Sequence, residues 1–158
     1  MNGPILSIIT VNFNNNLGLL KTLESVSSQS FSSYEHIIID AGSTDGSRET
    51  IIQYEKENPH LSFWSSESDK GIYDGMNKGI DHAKGQYLYF LNSGDCLSQD
   101  ILAKIPFDGT EYLYGDTILF YKRKTKKRVY PDTLDLIYLS DNSLHLSLIH
   151  ISEPTRRS

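Results

Sequence analysis

The chain has one cysteine, no long apolar run and no glycine-rich phosphate loop, and each lack removes a class of function. A lone Cys96 excludes an internal disulfide and any multi-cysteine metal site, which suits a reducing, cytoplasmic setting. No stretch reaches the roughly 18 apolar residues of a membrane span. The amino terminus, "MNGPILSIITVNFNNN", has no basic lead and only a short apolar run, so it reads as a strand and not a signal peptide. A net charge of −5 argues against general nucleic-acid binding. The five histidines (His36, His60, His82, His145 and His150) show no metal spacing and read as structural or exposed.

What remains is a soluble, globular composition. The 158 residues suffice for one domain with a real core, and 38% apolar against 22% charged residues is far from disorder. Charge is uneven. Residues 122–128, "KRKTKKR", hold six of the 15 basic residues and no acid.

Strand and helix signals alternate. Apolar β-branched runs at 5–11 and 34–40 predict strands, followed by shorter ones at 61–67 and 86–92. Between them lie helical patterns. The first has Leu19, Leu20, Leu23 and Val26 on one face and Asn16 as cap. The second runs from Ser47 to a stop near Asn58-Pro59. The third spans 69–85, with an apolar stripe of Ile72, Met76, Ile80 and Ala83 and Gly85 just past its end. A fifth strand is expected at 111–121, bent at Gly115, and a helix capped by Ser98 in "SQDILAKI". The alternation predicts an α/β fold, with a mostly parallel sheet and helices on both faces.

In such sheets ligands gather outside the carboxyl ends of the strands. Those ends read "TVNFNN", "DAGSTDGS", "SESDKG" and "NSGD", all polar or small, and three carry an acid. The first tip lacks G-x-G-x-x-G, and no P-loop or G-x-S-x-G elbow occurs, which argues against dinucleotide, P-loop and nucleophile-elbow chemistry. A phospho-acceptor role for Asp40 would want further acids at the first tip, and there are none. Asp95 offers a strand-end carboxylate beside glycine. It could share a magnesium-like ion with substrate phosphates, or it could cap the next helix.

The segments "SIITVNFNN", "IIIDAGSTDGS", "SESDKGIYDGMNKGI" and "GQYLYFLNSGD" together resemble inverting glycosyltransferase family 2 with the Rossmann-like GT-A fold. The likeness is to bacterial surface-polysaccharide members whose loops read D-x-G-S-T-D-G and N-x-G-D, and it covers about residues 5–120. It implies a nucleotide-diphosphate-sugar donor, a glycan or lipid-linked acceptor and a divalent cation, Mn or Mg. By position it implies that Thr10, Val11 and Phe13 hold the nucleoside, with Asp40 beside the base or ribose. Asp69 and Asn77 would line the donor pocket, with Gly75 and Gly79 allowing close packing, and Asp95 would hold the metal. Ser43 and Asp45 match the second-loop signature, with turn formation and capping as the competing reading. Two departures stand out. Ala41 replaces an acid that can read the base, and Asn92-Ser93-Gly94-Asp95 keeps one acid where the family often has two or three.

We therefore expect residues 1–121 to form the nucleotide-sugar-binding core and 122–145 to begin an acceptor-side region. The ending "SLIHISEPTRRS" reads as translated adapter sequence, so 146–158 are expected to be a non-native tail, with the general base beyond the chain end. Asp116, Asp132, Asp135 and Asp141 are poor candidates for that base. The basic run reads as a hairpin, or as a peripheral contact with anionic lipid at the inner face of the plasma membrane. The alternative function is a nucleotide-sugar binding module without transfer activity.

Overall fold

The computed structural model describes residues 3–109, 112–113, 117–121, 124–129 and 149–151. Strands β1 (Leu6–Asn12), β2 (Tyr34–Asp40), β3 (Leu61–Ser66) and β4 (Tyr87–Phe90) alternate with helices α1 (Asn16–Ser27), α2 (Ser47–Glu57) and α3 (Ile72–His82). These four strands are parallel neighbours in the order β3-β2-β1-β4. Chain order therefore reverses between β1 and β4, and that is the switch point where α/β sheets open a crevice.

The expected mostly parallel α/β architecture is what forms. Every residue of β1 and β2 is buried, because helices cover both faces of the sheet. Ile38 packs with Leu19 and Leu23 of α1 and Ile51 and Tyr54 of α2. Ile9, Val11, Ile37, Ile39 and Leu88 pack on the other face, under Met76 of α3. A fully buried isoleucine contributes about 1.5–3 kcal/mol, so these central strands are the source of the stability.

Several sequence expectations shift. Asn15, not Asn16, caps α1, its side chain accepting from the Gly18 amide at 3.2 Å. The buried face of α3 is Gly75, Met76 and Gly79, whereas Ile72 and Ile80 stay 43% and 41% exposed. The reason is close approach. A Cβ at Gly79 would lie 2.4 Å from Ile9 Cγ2, so glycine brings the helix axis nearer than the apolar pattern implies. Gly85 does not end α3, whose last cap is Ala83. It lies against β1, where a Cβ would meet the Ser7 nitrogen at 2.5 Å. After β4 there is no α-helix among the described residues, only a 3-10 turn at Leu102–Lys104.

The expected fifth strand is divided. β5 (Tyr112–Leu113) joins the main sheet, while β6 (Thr117–Tyr121) pairs antiparallel with β7 (Lys124–Arg128). The basic run thus lies largely on one arm of a hairpin, with Lys124, Lys126 and Lys127 exposed. A short β8 (Ile149–Ile151), where sequence placed no element, runs antiparallel between β4 and β5. Gly115, Asp116, Asp132, Asp135, Asp141 and most of 146–158 lie outside the described residues.

Candidate functional site

Parallel register assembles the site's floor. Asn12 of β1 is paired with Asp40 of β2, and Asp40 with Ser66 of β3. Side chains on one rung of a parallel sheet share a face, so the three meet. Asp40 takes the Asn12 amide at 2.7 Å, the Ser66 hydroxyl at 2.6 Å, the Ser43 hydroxyl at 2.5 Å and the Ser43 amide at 3.0 Å. Burial alone would raise its pKa. The bonds from Ser43, Ser66 and Asn12 outweigh that and hold the carboxyl below its usual range.

Two of the expected residues are fully buried. Asp40 is 0% exposed and its oxygens accept from protein donors on β1, β3 and the second loop, which ties the strand tips together. Thr10 is also 0% exposed, and its hydroxyl pairs with His36 Nε2 at 2.9 Å. Strand alternation explains the second of these: Thr10 and His36 point to the α1/α2 face, away from Ile9 and Val11. His36 also meets the Tyr54 hydroxyl at 3.0 Å, and burial pushes its imidazole down to about 3. The expected structural role of His36 is therefore what the packing gives it.

The second loop follows the capping reading. Asp45 Oδ1 accepts from the Ser47 hydroxyl and amide at the start of α2, and Oδ2 accepts from the Asn16 amide at the start of α1. One carboxylate thus ties two helix amino termini together.

The remaining expected residues lie near the strand tips and on α3. Phe13 is 63% exposed at the β1 tip, while Val11 lies below, 8% exposed and 2.9 Å from a Cβ built at Gly75. Asp69 accepts from the Gly71 amide at 2.8 Å through Oδ1, while its Oδ2 is buried with no protein donor. That oxygen lies 3.2 Å from the same Gly75 position. Register carried on from Ile9↔Phe90 sets Asn92 beside Val11, and the Ser93 amide does bond the Val11 carbonyl at 3.1 Å. Asn92 Oδ1 is a second buried acceptor without a donor. Asn12 Oδ1 is a third, whereas buried acceptors normally find a partner. Asn77 is exposed on α3.

Asp95 is exposed on a turn whose Gly94 has φ 100°. Among the described residues no α-helix follows it, and the 3-10 turn at Leu102–Lys104 begins after Ile101. Burial first, and the Asp95 charge second, push Tyr89 up to about 12. Among the described residues no three acidic, histidine or cysteine side chains cluster as a complete metal site. The donor set therefore fits an ion shared between one carboxylate and the oxygens of a substrate, and not a cage made by protein alone.

Sequence reading missed Asn12 and Ser66. The signal was available, since strands of known register put both next to Asp40. Far from the site, an open groove of about 360 Å³ lies at the amino edge of the sheet, lined in part by Gln29, Tyr34, Tyr54, Asn58 and His60. Its Tyr54 hydroxyl is already paired with His36 and Asn58, so it offers little to a ligand.

Comparison with known proteins agrees with this geometry. The family model described as glycosyl transferase family 2 matches residues 7–143. An uncharacterized glycosyltransferase of Mycobacterium tuberculosis is 42% identical over 103 residues, which are 64% of this chain and 38% of that protein. TuaG of Bacillus subtilis, a glycosyltransferase assigned to teichuronic acid biosynthesis, is 37% identical over 101 residues, 64% of this chain and 40% of the relative. The chain thus spans well under two thirds of these relatives. Among solved structures, a mannosyltransferase of Pyrobaculum calidifontis in complex with GDP-Man and Mn2+ superimposes with a TM-score of 0.58 at 21% identity. That match covers 64% of this chain and 31% of the other, and it shows a shared GT-A fold.

Proposed function

Since the chain belongs to glycosyl transferase family 2, we propose that it binds a nucleotide-diphosphate-sugar and moves the sugar to a glycan or lipid-linked acceptor in bacterial surface-polysaccharide assembly. What supports this reading is a set of three features at or beyond the tips of the parallel strands. They are an exposed acid on a glycine turn, an exposed aromatic ring, and Asp69 Oδ2 and Asn92 Oδ1 among three buried acceptors with no protein donor.

Each feature suits one part of such a donor. Phe13 offers a face for the nucleoside base. Asn92 Oδ1 and Asp69 Oδ2 accept hydroxyls of the ribose or sugar, replacing donors that the protein does not supply. Asn77 closes the pocket from α3. The Asp95 carboxylate, with the diphosphate oxygens, holds a manganese or magnesium ion. The bound ion supplies charge neutralisation for the departing nucleoside diphosphate. Gly94 keeps the turn free of a side chain where the diphosphate approaches. Inversion at the anomeric carbon follows if an acceptor hydroxyl attacks directly, with its proton taken by a base outside the residues named here. A crystal complex with a nucleotide-sugar and Mn2+ on the same fold supports the choice of ligand.

The hairpin of β6 and β7 carries exposed Lys124, Lys126 and Lys127, with Ile118 54% exposed beside them. This suits a peripheral contact with anionic lipid at the inner face of a membrane, at about 1 kcal/mol per basic residue. No helix among the described residues is long and apolar enough to cross one. Replacing the three lysines by glutamine should abolish binding to anionic vesicles at low salt, and unchanged binding ends that part.

Calorimetry with UDP and GDP, each with and without Mn2+, tests the main reading. Metal-dependent binding of either nucleotide is expected, and binding of neither in Mn2+ refutes it. Donor turnover then separates a transferase from a nucleotide-sugar binding module, which binds but does not turn over.

A further inference from the structure

Helix α1 carries a polar stripe that the apolar pattern does not explain. Asn15, Thr22, Ser25 and Gln29 recur at spacings of seven, three and four along one side of the helix and its end. All four address the same target, the main chain of residues 93–102. Asn15 Nδ2 donates to the Ser93 carbonyl at 3.1 Å. Ser25 Oγ accepts from the Leu97 amide at 3.1 Å. Gln29 donates to the Ser98 carbonyl and accepts from the Leu102 amide, both at 3.1 Å.

Thr22 is the centre of this row. It is 0% exposed, and its one hydroxyl bonds the main-chain groups that flank the Gly94–Asp95 peptide. It accepts from the Gly94 amide at 2.9 Å and donates to the Asp95 carbonyl at 2.8 Å. The Gly18 carbonyl is a second acceptor for the same proton at 3.1 Å, the longer of the two. No side chain of the loop takes part in these contacts. The sequence of the loop can therefore stay small and open while its path is dictated from α1.

We propose that Thr22 is a positioning residue for Asp95, fixing the Gly94–Asp95 peptide so that the Asp95 carboxylate faces the crevice before any ligand arrives. This rests on the reading of Asp95 as the residue that shares a cation with the donor diphosphate. The affinity of a carboxylate for a shared ion depends on its main chain being held in advance. Thr22 supplies that hold without touching substrate.

The test uses the full chain with Thr22→Val, which keeps the shape and removes the hydroxyl, and Thr22→Ser, which keeps the hydroxyl. The first readout is amide hydrogen exchange without metal or nucleotide. Exchange at Gly94 should rise about tenfold in T22V, the scale of one or two lost hydrogen bonds, and return close to wild type in T22S. The β4 amides of Leu88 and Tyr89 should be unmoved, which shows that the fold survives. The second readout is binding of UDP or GDP. The Mn2+-dependent part should weaken about tenfold in T22V and recover in T22S, while metal-free binding stays the same. Unchanged Gly94 exchange in T22V overturns the clamp itself. Raised exchange with unchanged Mn2+-dependent binding overturns its role in positioning. If the wild-type chain binds neither nucleotide in Mn2+ yet T22V still frees Gly94, the fault lies in the proposed function, and the positioning role falls with it.

Discussion

Two aspartates, one at the end of β2 and one five residues past the end of β4 on the far side of β1, have opposite fates. Asp40 closes β2, is 0% exposed, and is saturated by Asn12, Ser43 and Ser66. Asp95 follows β4 on a glycine turn and is exposed, and α1 holds its main chain. The residue type is the same. What differs is the supply of donors: a central strand is flanked on both sides by in-register neighbours, whereas the chain past β4 has left the sheet. A strand-end acid in the middle of a parallel sheet is thus drawn into the scaffold, and one past the last parallel strand stays exposed.

The contrast should break first at Asp40. Asp40→Ala leaves buried donors of Asn12, Ser43 and Ser66 without an acceptor and should cost about 3 kcal/mol in chemical denaturation. If the loss is below about 1 kcal/mol, Asp40 is not the scaffold and its carboxylate is available for a ligand after all.

Acid sharpens the same contrast on β2. His36 has a folded pKa of about 3 against about 6.5 unfolded, so below pH 6.5 the unfolded chain takes up a proton that the folded one refuses. Stability should fall as pH falls from there, by about 1.4 kcal/mol per unit, and His36→Gln should remove that slope. Asp40 acts in a lower window. Its depressed pKa contributes stability that is present above its unfolded value of about 4 and lost as pH falls through the folded value. Denaturation at pH 7, 6 and 5 isolates the His36 part, and a flat wild-type profile there contradicts it.

The sheet, its helices and the crevice were legible because uninterrupted β-branched runs, capping residues and glycine turns act locally. That Asp95, Asp69 and Phe13 lie at or beyond strand tips was legible as well, because the chain leaves its neighbours there. Thr10 misled because "SIITV" has no alternation to show which face a residue takes when both faces are buried. The stripe of α3 misled because glycine at 75 and 79 lets the helix approach, and apolar periodicity counts side chains only. The row at Thr22, Ser25 and Gln29 was silent for a different reason. Its partners are main-chain atoms of a loop some seventy residues later, and no residue type in that loop advertises them.

The most direct measurement is calorimetry of Asp95→Ala with UDP or GDP in Mn2+, with melting recorded on the same sample. The expected result is loss of the metal-dependent binding by tenfold or more, about 1.4 kcal/mol, with stability within about 0.5 kcal/mol of wild type. Wild-type affinity in Mn2+ on removal of that one side chain would contradict the assignment of Asp95 as the metal-bearing residue.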